Sequence, residues 1–273
     1  MPSIQCKKGV NVMEFETILY EVKEQVATIT LNLPESRNPL TEQLVAELMQ
    51  AIKTADADNG VHVMIVTGAG KAFSAGGNLN EFKQNMEKDV PQLYVEGKES
   101  TELFKLGATV KTPIIAAVNG AALGGGTGLV AMCHIAIASS EAKLGLTELR
   151  LGIVPFVILP WVRQAVGNRR VLEMMLKAEI LSAEQAAEYN LVHEVVPPEQ
   201  LEEKAWETAK TIASHSPLAV NLALDAYFTT EDMDFMKSFD YLTNLRLVSF
   251  KSDDLKEGAS AFLEKRPPVW KGK

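Results

Sequence analysis

Two glycine-rich stretches constrain this chain more than any other feature. The first reads Phe73-Ser74-Ala75-Gly76-Gly77-Asn78-Leu79. The second reads Asn119-Gly120-Ala121-Ala122-Leu123-Gly124-Gly125-Gly126-Thr127-Gly128. Each follows a short apolar run with the character of a buried strand and leads into a segment that can begin a helix. Glycine, without a β-carbon, lets a backbone turn sharply and come close to a ligand. Two such loops meeting in space can aim two main-chain N–H groups at one oxygen, which stabilises a negative charge forming on a carbonyl. The alternative is that the glycines serve only tight turns and close helix packing.

Nucleotide-binding glycine motifs fail on the residues themselves. A P-loop ending at Gly70-Lys71 needs glycine where Ile65 stands. A dinucleotide fingerprint starting at Gly68 needs glycine in place of Phe73, and one starting at Gly124 needs it in place of Leu129.

Around the loops the pattern alternates strand, loop and helix. Strands are predicted over 26–33, 62–67, 114–118 and 135–138, and helices over 41–55 and 126–132, with Thr41 as an N-cap. A polar, weakly periodic stretch over 89–106 reads as a mobile helix pair. After residue 168 strand signals fade. Helices are predicted over 169–177, 182–189, 198–214, 217–228, 233–250 and 253–264, and Ser182 with Gln185 resembles a capping box. The expected division is a flexible tail at 1–13, an α/β core at 14–200 and a helical region at 201–273 that covers the core or a partner subunit.

Composition narrows the function classes. The 273 residues, 47% of them hydrophobic, suffice for a substantial core. A net charge of −8 argues against non-specific nucleic-acid binding, which needs clustered Lys and Arg. Cys6 and Cys133 form no metal-spaced pair, and a reducing, cytoplasmic setting is expected. Lys7 and Lys8 have no apolar run behind them, so residues 1–12 do not read as a secretory signal. No run reaches the roughly 18–20 apolar residues of a membrane span. His62, His134, His193 and His215 are scattered, and no metal site is expected.

Several further stretches share an order with the two loops: Pro113 to Gly120, Leu144 to Pro155 with Glu148 inside it, Leu181 to Ala186 with Leu191-Val192, and Glu257-Gly258 followed by Ala261 to Arg266. Together they resemble the crotonase (enoyl-CoA hydratase/isomerase) superfamily over nearly the whole chain. The resemblance implies a spiral of ββα repeats with a helical C-terminal trimerisation region, assembled as a homotrimer or as a homohexamer of two trimers. It implies acyl-CoA thioester substrates, with CoA as part of the substrate and no separate cofactor. The N–H groups of Gly77 and Gly125 match the family's oxyanion hole, and a helix starting at Gly125 would add the positive end of its dipole. Ser74, Ala75, Gly76, Gly77, Asn78, Leu79 and Asn80 match a CoA-contacting stretch. Phe262 and Lys265 match positions that approach CoA from a neighbouring subunit, and a lysine beside phosphates is physically sensible. For Lys265 a solvated helix-end lysine is the alternative; Arg37 likewise meets phosphate or solvent.

Glu148 matches the family's acid/base; a surface carboxylate in a loop is the plainer reading. Hydratases of the family hold water between two glutamates, and the second position is Gly128 here. Hydration wants one carboxylate as base on water and a second group as acid or water-holder. A 1,3-proton shift from a 3-enoyl to a 2-enoyl thioester needs only one base, and isomerising members often lack this same carboxylate. Phe156 occupies the position of the dienoyl isomerases' aspartate. Phe156 and Val157 also replace a small, glycine-rich stretch common in hydratases, which points to an altered acyl pocket or to packing alone. Glu96, Glu99 and Glu102 are candidates for a second acid. The expected function is Δ3-to-Δ2 enoyl-CoA isomerisation or 2-enoyl-CoA hydration, with thioester hydrolysis or decarboxylation as other reactions of the fold. A non-catalytic CoA- or RNA-binding protein is the reading from another class.

Overall fold

The computed structural model describes residues 15–273, apart from the Glu99 side chain, together with the backbone of Ile4–Lys7 and Val10–Met13. In chain order the strands are β1 (Ile4–Lys7), β2 (Val10–Met13), β3 (Ile18–Lys23), β4 (Val26–Leu31), β5 (Pro39–Leu40), β6 (Val63–Gly68), β7 (Ala72–Ser74), β8 (Gly76–Gly77), β9 (Ile114–Val118), β10 (Ala121–Leu123), β11 (Ile135–Ser139), β12 (Lys143–Gly145), β13 (Ile180–Ser182) and β14 (Glu194–Val196). The helices are α1 (Glu42–Ala57), α2 (Leu79–Asn85), α3 (Val90–Thr109), α4 (Gly125–Met132), α5 (Leu159–Lys177), α6 (Ala183–Glu188), α7 (Leu201–Ala213), α8 (Pro217–Thr230), α9 (Phe235–Lys251) and α10 (Asp253–Glu264).

The large sheet runs β1-β2-β3-β4-β6-β9-β11-β14, and a smaller one runs β13-β12-β10-β7. From β4 to β14 the large sheet is parallel. The chain therefore coils. The pairs β6 and β7, β9 and β10, and β11 and β12 each lay one strand in the large sheet and one in the small sheet, and a helical segment follows before the next turn. This is the expected spiral of ββα turns. Parallel strands are covered on both faces, so they read as continuous apolar runs; β9, Ile-Ile-Ala-Ala-Val, is buried throughout.

One apolar layer packs the sheet against α1, α3, α4 and α5, with Leu44, Leu48, Ile52, Phe73 and Leu129 fully enclosed. Burial of each such side chain contributes about 1.5–3 kcal/mol. A second layer, formed by Val26, Val63 and Ile115, meets Leu201, Ala205 and Ala209 of α7. Leu44, Leu48 and Ile52 recur every four residues along α1, and Thr41 Oγ1 accepts the Leu44 N–H at 3.1 Å, as its capping role required. Ser182 and Gln185 form a capping box at α6.

Three expectations change. The stretch read as a helix pair is one helix, α3, capped by an Asp89–Gln92 box. Leu103, Phe104 and Leu106 near its end are buried whereas Leu93, Tyr94 and Val95 are exposed, so the period is weak. α5 begins at Leu159, and Gly167 (φ 79°) breaks the helix where the sequence pattern had placed its start. Strands β13 and β14 lie where strand signals had faded, because three residues are too few to show a two-residue period. Within the segment expected as a tail, β1 and β2 pair with each other and β2 pairs with β3; the rest of that segment lies outside the described residues. Among the described residues, no helix is long and apolar enough to cross a membrane.

Candidate active site

The first glycine loop is held from below by Asn38. Its Oδ1 accepts the Leu33 N–H at 2.8 Å, and its Nδ2 donates to Ala69 O at 3.0 Å and Ala72 O at 2.8 Å. Asn38 sits at φ 53°, a left-handed conformation that asparagine tolerates better than most residues. Ser74, wholly buried, donates its hydroxyl to Asn38 O at 2.7 Å and accepts the Gly76 N–H at 3.2 Å. Ala75 N–H reaches Arg37 O at 2.8 Å, which places exposed Arg37 beside the loop. Gly76, at φ 87°, makes the turn, and β8 then runs parallel to β5, with Leu40 opposite Gly77.

The second loop is fastened to the first. Asn119 accepts the Gly68 N–H at 3.1 Å and donates to Gly70 O at 3.0 Å. Gly124, at φ 52°, donates to Gly145 O at 2.8 Å and precedes α4. Gly128 N–H makes a helical bond back to Gly124 O, and the N–H groups before it have no intrahelical acceptor. Buried Thr127 locks this turn to β10 and β12: its hydroxyl donates to Ala122 O at 2.7 Å and accepts the Gly145 N–H at 3.0 Å.

The two loops touch. A β-carbon built on Gly76 would stand 3.1 Å from the Gly125 nitrogen, and one built on Gly125 would stand 3.8 Å from the Gly77 nitrogen and 2.9 Å from Leu40 Cδ1. Side chains at either position would fill the cleft that the two amides share. The Phe82 ring from α2 packs directly on Gly77, with Cζ 2.4 Å from its β-carbon position.

Glu148 begins a short 3-10 turn, Glu148–Leu151, after β12. Its Oε1 lies 3.1 Å from the β-carbon position of Gly124, one residue before the Gly125 amide. Its Oε2 is buried without a hydrogen-bond partner among the described residues. Burial disfavours the charged form and raises the carboxyl pKa above the ordinary 4.5, against a smaller lowering by main-chain hydrogen bonds. A carboxylate so placed can take a proton from carbon and return it while the amides hold an oxyanion.

Gly128 lies four residues beyond Gly124 and donates its N–H to the Gly124 carbonyl at 3.1 Å. A β-carbon there would meet Ile158 Cγ2 at 2.1 Å, Ile158 Cβ at 2.4 Å and Phe104 Cε1 at 3.2 Å. The position where the resemblance implies a second glutamate in hydratases is filled here by hydrocarbon from Ile158 and Phe104. Of the other candidate acids, Glu96 is paired with Lys88 and Glu102 with Lys105, each at 2.6 Å; the Glu99 side chain lies outside the described residues. Glu96, Asn78, Phe82 and Leu40 line a cavity of about 280 Å³ between α1 and the α2–α3 segment.

The remaining candidates scatter. Asn78 caps α2 by accepting the Asn80 N–H at 3.0 Å; Leu79 and Asn80 are exposed. Ser74 has no exposed surface. Phe156 stands 74% exposed near the Glu148 turn. Phe262 and Lys265 lie at the exposed end of α10. Leu40, Phe82, Phe104 and Ile158 escaped the sequence reading, since no local pattern marks a residue whose role is to press on a glycine. Among the described residues, no group of His, Cys, Asp and Glu side chains is gathered to hold a metal ion. Buried His134 accepts the Ile114 N–H at Nδ1 and faces Gly107 O through Nε2, and burial lowers its pKa, so it ties α3 to β9 as a neutral ring.

The family model for enoyl-CoA hydratase/isomerase matches residues 21–273. The chain belongs to the enoyl-CoA hydratase/isomerase family. It is 33% identical over 252 residues to the 2,3-dehydroadipyl-CoA hydratase of Escherichia coli, covering 92% of this chain and 97% of that one. It is 34% identical over 256 residues to the crotonyl-CoA hydratase of Syntrophomonas wolfei, covering 93% and 97%. The crystal structure of an enoyl-CoA hydratase from Bacillus anthracis superposes with a TM-score of 0.88 at 34% identity, covering 94% of this chain and all of that one. The fold is the crotonase fold, and the protein is an acyl-CoA enzyme of the enoyl-CoA hydratase/isomerase type.

Proposed function

We propose that this enoyl-CoA hydratase/isomerase family member moves a proton on the acyl chain of a CoA thioester, converting a 3-enoyl to a 2-enoyl thioester with Glu148 as the sole acid/base. The observation that carries the reading is the Glu148 carboxyl against Gly124, beside the Gly125 and Gly77 amides, with hydrocarbon filling the second carboxylate's place one helical turn away. In this reading the thioester oxygen sits between the Gly77 and Gly125 N–H groups. Glu148 takes a proton from the α-carbon, the enolate charge rests on the amides, and the same carboxyl returns the proton at the γ-carbon. An oxyanion donor of this kind is worth about 2.7–4 kcal/mol of barrier. Proton transfer asks for no cofactor beyond the CoA carried by the substrate. Arg37, the stretch from Ala75 to Asn80, and a neighbouring subunit's Phe262 and Lys265 are proposed to hold the CoA, in a homotrimer or homohexamer whose contacts use the exposed apolar face of α9.

Hydration of a 2-enoyl thioester is the second reading, favoured by relatives at 33–34% identity being named hydratases. The two separate on purified protein. Given a 3-enoyl-CoA, isomerisation raises the absorbance of the conjugated thioester. Given crotonyl-CoA, hydration adds the mass of one water. Rapid conversion of the first with little of the second is expected; water addition at a comparable kcat/KM overturns the single-base reading. Calorimetric CoA binding without turnover of any acyl-CoA would overturn catalysis altogether.

A further inference from the structure

We infer that Ile158 is a specificity-determining residue, filling the space beside Glu148 that a second carboxylate and its water would need; the inference deepens the single-base reading and rests on it for its chemical consequence. Glu148 lies against Gly124 and Ile158 against Gly128, and one helical hydrogen bond joins these two positions, from the Gly128 N–H to the Gly124 carbonyl at 3.1 Å. A carboxylate on residue 128 would therefore start about one helical turn from the position that Glu148 touches. Ile158 prevents it in a way no rotamer change relieves. Its Cγ2 could swing aside, but its Cβ, fixed to the backbone, already lies 2.4 Å from where a residue-128 β-carbon would stand. Even alanine at 158 keeps that clash. Only glycine at 158 opens the site without moving a helix, and the Ile158 backbone (φ −95°, ψ −13°) is one glycine adopts freely.

The plug is braced. Ile158 is 3% exposed at the start of α5, and Phe104 of α3 closes the other side at 3.2 Å. Trp161 of α5 donates its indole N–H to the Phe104 carbonyl at 2.6 Å, joining the two walls directly. A held water needs two to four polar partners; Ile158 and Phe104 side chains offer none. Glu148 is left with substrate carbon as its partner, and water addition at the β-carbon lacks the group that would orient it.

Two measurements test this. The first is a thermal-stability cycle that involves no substrate: Gly128→Ala in the parent, Ile158→Ala and Ile158→Gly backgrounds. The expected result is a midpoint loss of at least about 3 °C in the first two backgrounds and a small fraction of that loss in the third. Equal losses in all three overturn the packing claim. If Gly128→Ala fails to fold with Ile158 in place, a folded Gly128→Ala/Ile158→Gly protein supports it, and failure of that double variant while Ile158→Gly alone folds overturns it. The second measurement is the ratio of crotonyl-CoA hydration to 3-enoyl-CoA isomerisation in the parent and in Gly128→Glu/Ile158→Gly. A rise of about tenfold or more, equivalent to 1.36 kcal/mol of barrier, is expected, and an unchanged ratio in the folded double variant overturns the specificity role. Failure of the single-base reading shows separately, as a parent protein that does not isomerise a 3-enoyl-CoA; the stability cycle stands or falls without it.

Discussion

Inside the spiral, apolar residues find their partners within the chain: Ile29, Leu44, Phe73, Ile114 and Leu129 are wholly enclosed. Along α9 the same kinds of residue do not, and that helix buries no residue in one chain. Phe235, Phe239, Leu242 and Phe250 follow helical spacing down one stripe of α9, and Phe235 and Phe239 are 75% and 54% exposed. Contiguous exposed apolar surface marks an interaction site. The contrast teaches that one region is written for its own core, while the other carries the apolar face proposed above for the subunit contact. The active-site acid belongs to the first region, and the proposed CoA contacts at Phe262 and Lys265 lie on α10, which follows the second. Chemistry and assembly should therefore respond to different substitutions.

The largest expected effect lies in the spiral. Glu148→Gln should lower kcat by about 10²–10⁴-fold while leaving the assembly's mass by light scattering unchanged; retained turnover would remove Glu148 from the acid/base role. Next comes the C-terminal stripe. Phe239→Asp should weaken self-association about 30-fold or more, a loss of about 2 kcal/mol typical of a buried aromatic anchor, with the far-ultraviolet circular dichroism of the spiral intact. An unchanged mass at low protein concentration would place the interface elsewhere. Within the scaffold, Thr127→Val leaves Gly145 N–H without its acceptor and should cost about 1–3 kcal/mol in denaturant unfolding. Its kcat should fall more than its substrate affinity, since β12 leads into the Glu148 turn.

The smallest effect separates site from scaffold by sign. Burial raises the Glu148 pKa above its ordinary 4.5, so the folded state favours the protonated carboxyl. That contribution to stability is fully present below the unfolded-state pKa and is lost as pH rises through the raised folded value. At neutral pH the buried charge is a liability, and Glu148→Gln should slightly raise the melting temperature there while gaining nothing at pH 4. The same shift means that activity needing the carboxylate should decline, on acidification, at a pH above the usual glutamate range. A variant less stable than the parent at neutral pH would show that Glu148 supports the fold as well.

Much of this could be read without coordinates, for physical reasons that differ from element to element. β9 and α1 were legible because burial imposes a period or an apolar run on enough residues to see. The glycine loops were legible because few other residues take their place at a turn, and the order of motifs along the chain carried the family. β13 and β14 were not, being three residues long, and Gly167 disguised the true start of α5. Leu40, Phe104 and Ile158 were invisible as site residues, since each matters through contact with a glycine 85, 24 and 30 positions away in sequence and adjacent only in space; Phe82, five residues past Gly77, carries no local mark of its packing on that glycine.

The sequence alone determined the spiral, the two loops, Glu148 as the candidate acid and the missing carboxylate at 128, because each is a matter of residue type and order along the chain. The tertiary structure decided that the two loops share one cleft, that burial strips Glu148 of a partner for Oε2, and that the gap at Gly128 is closed by Ile158 and Phe104. Those are facts of distance between segments, and distance is set only when the sheets and helices pack.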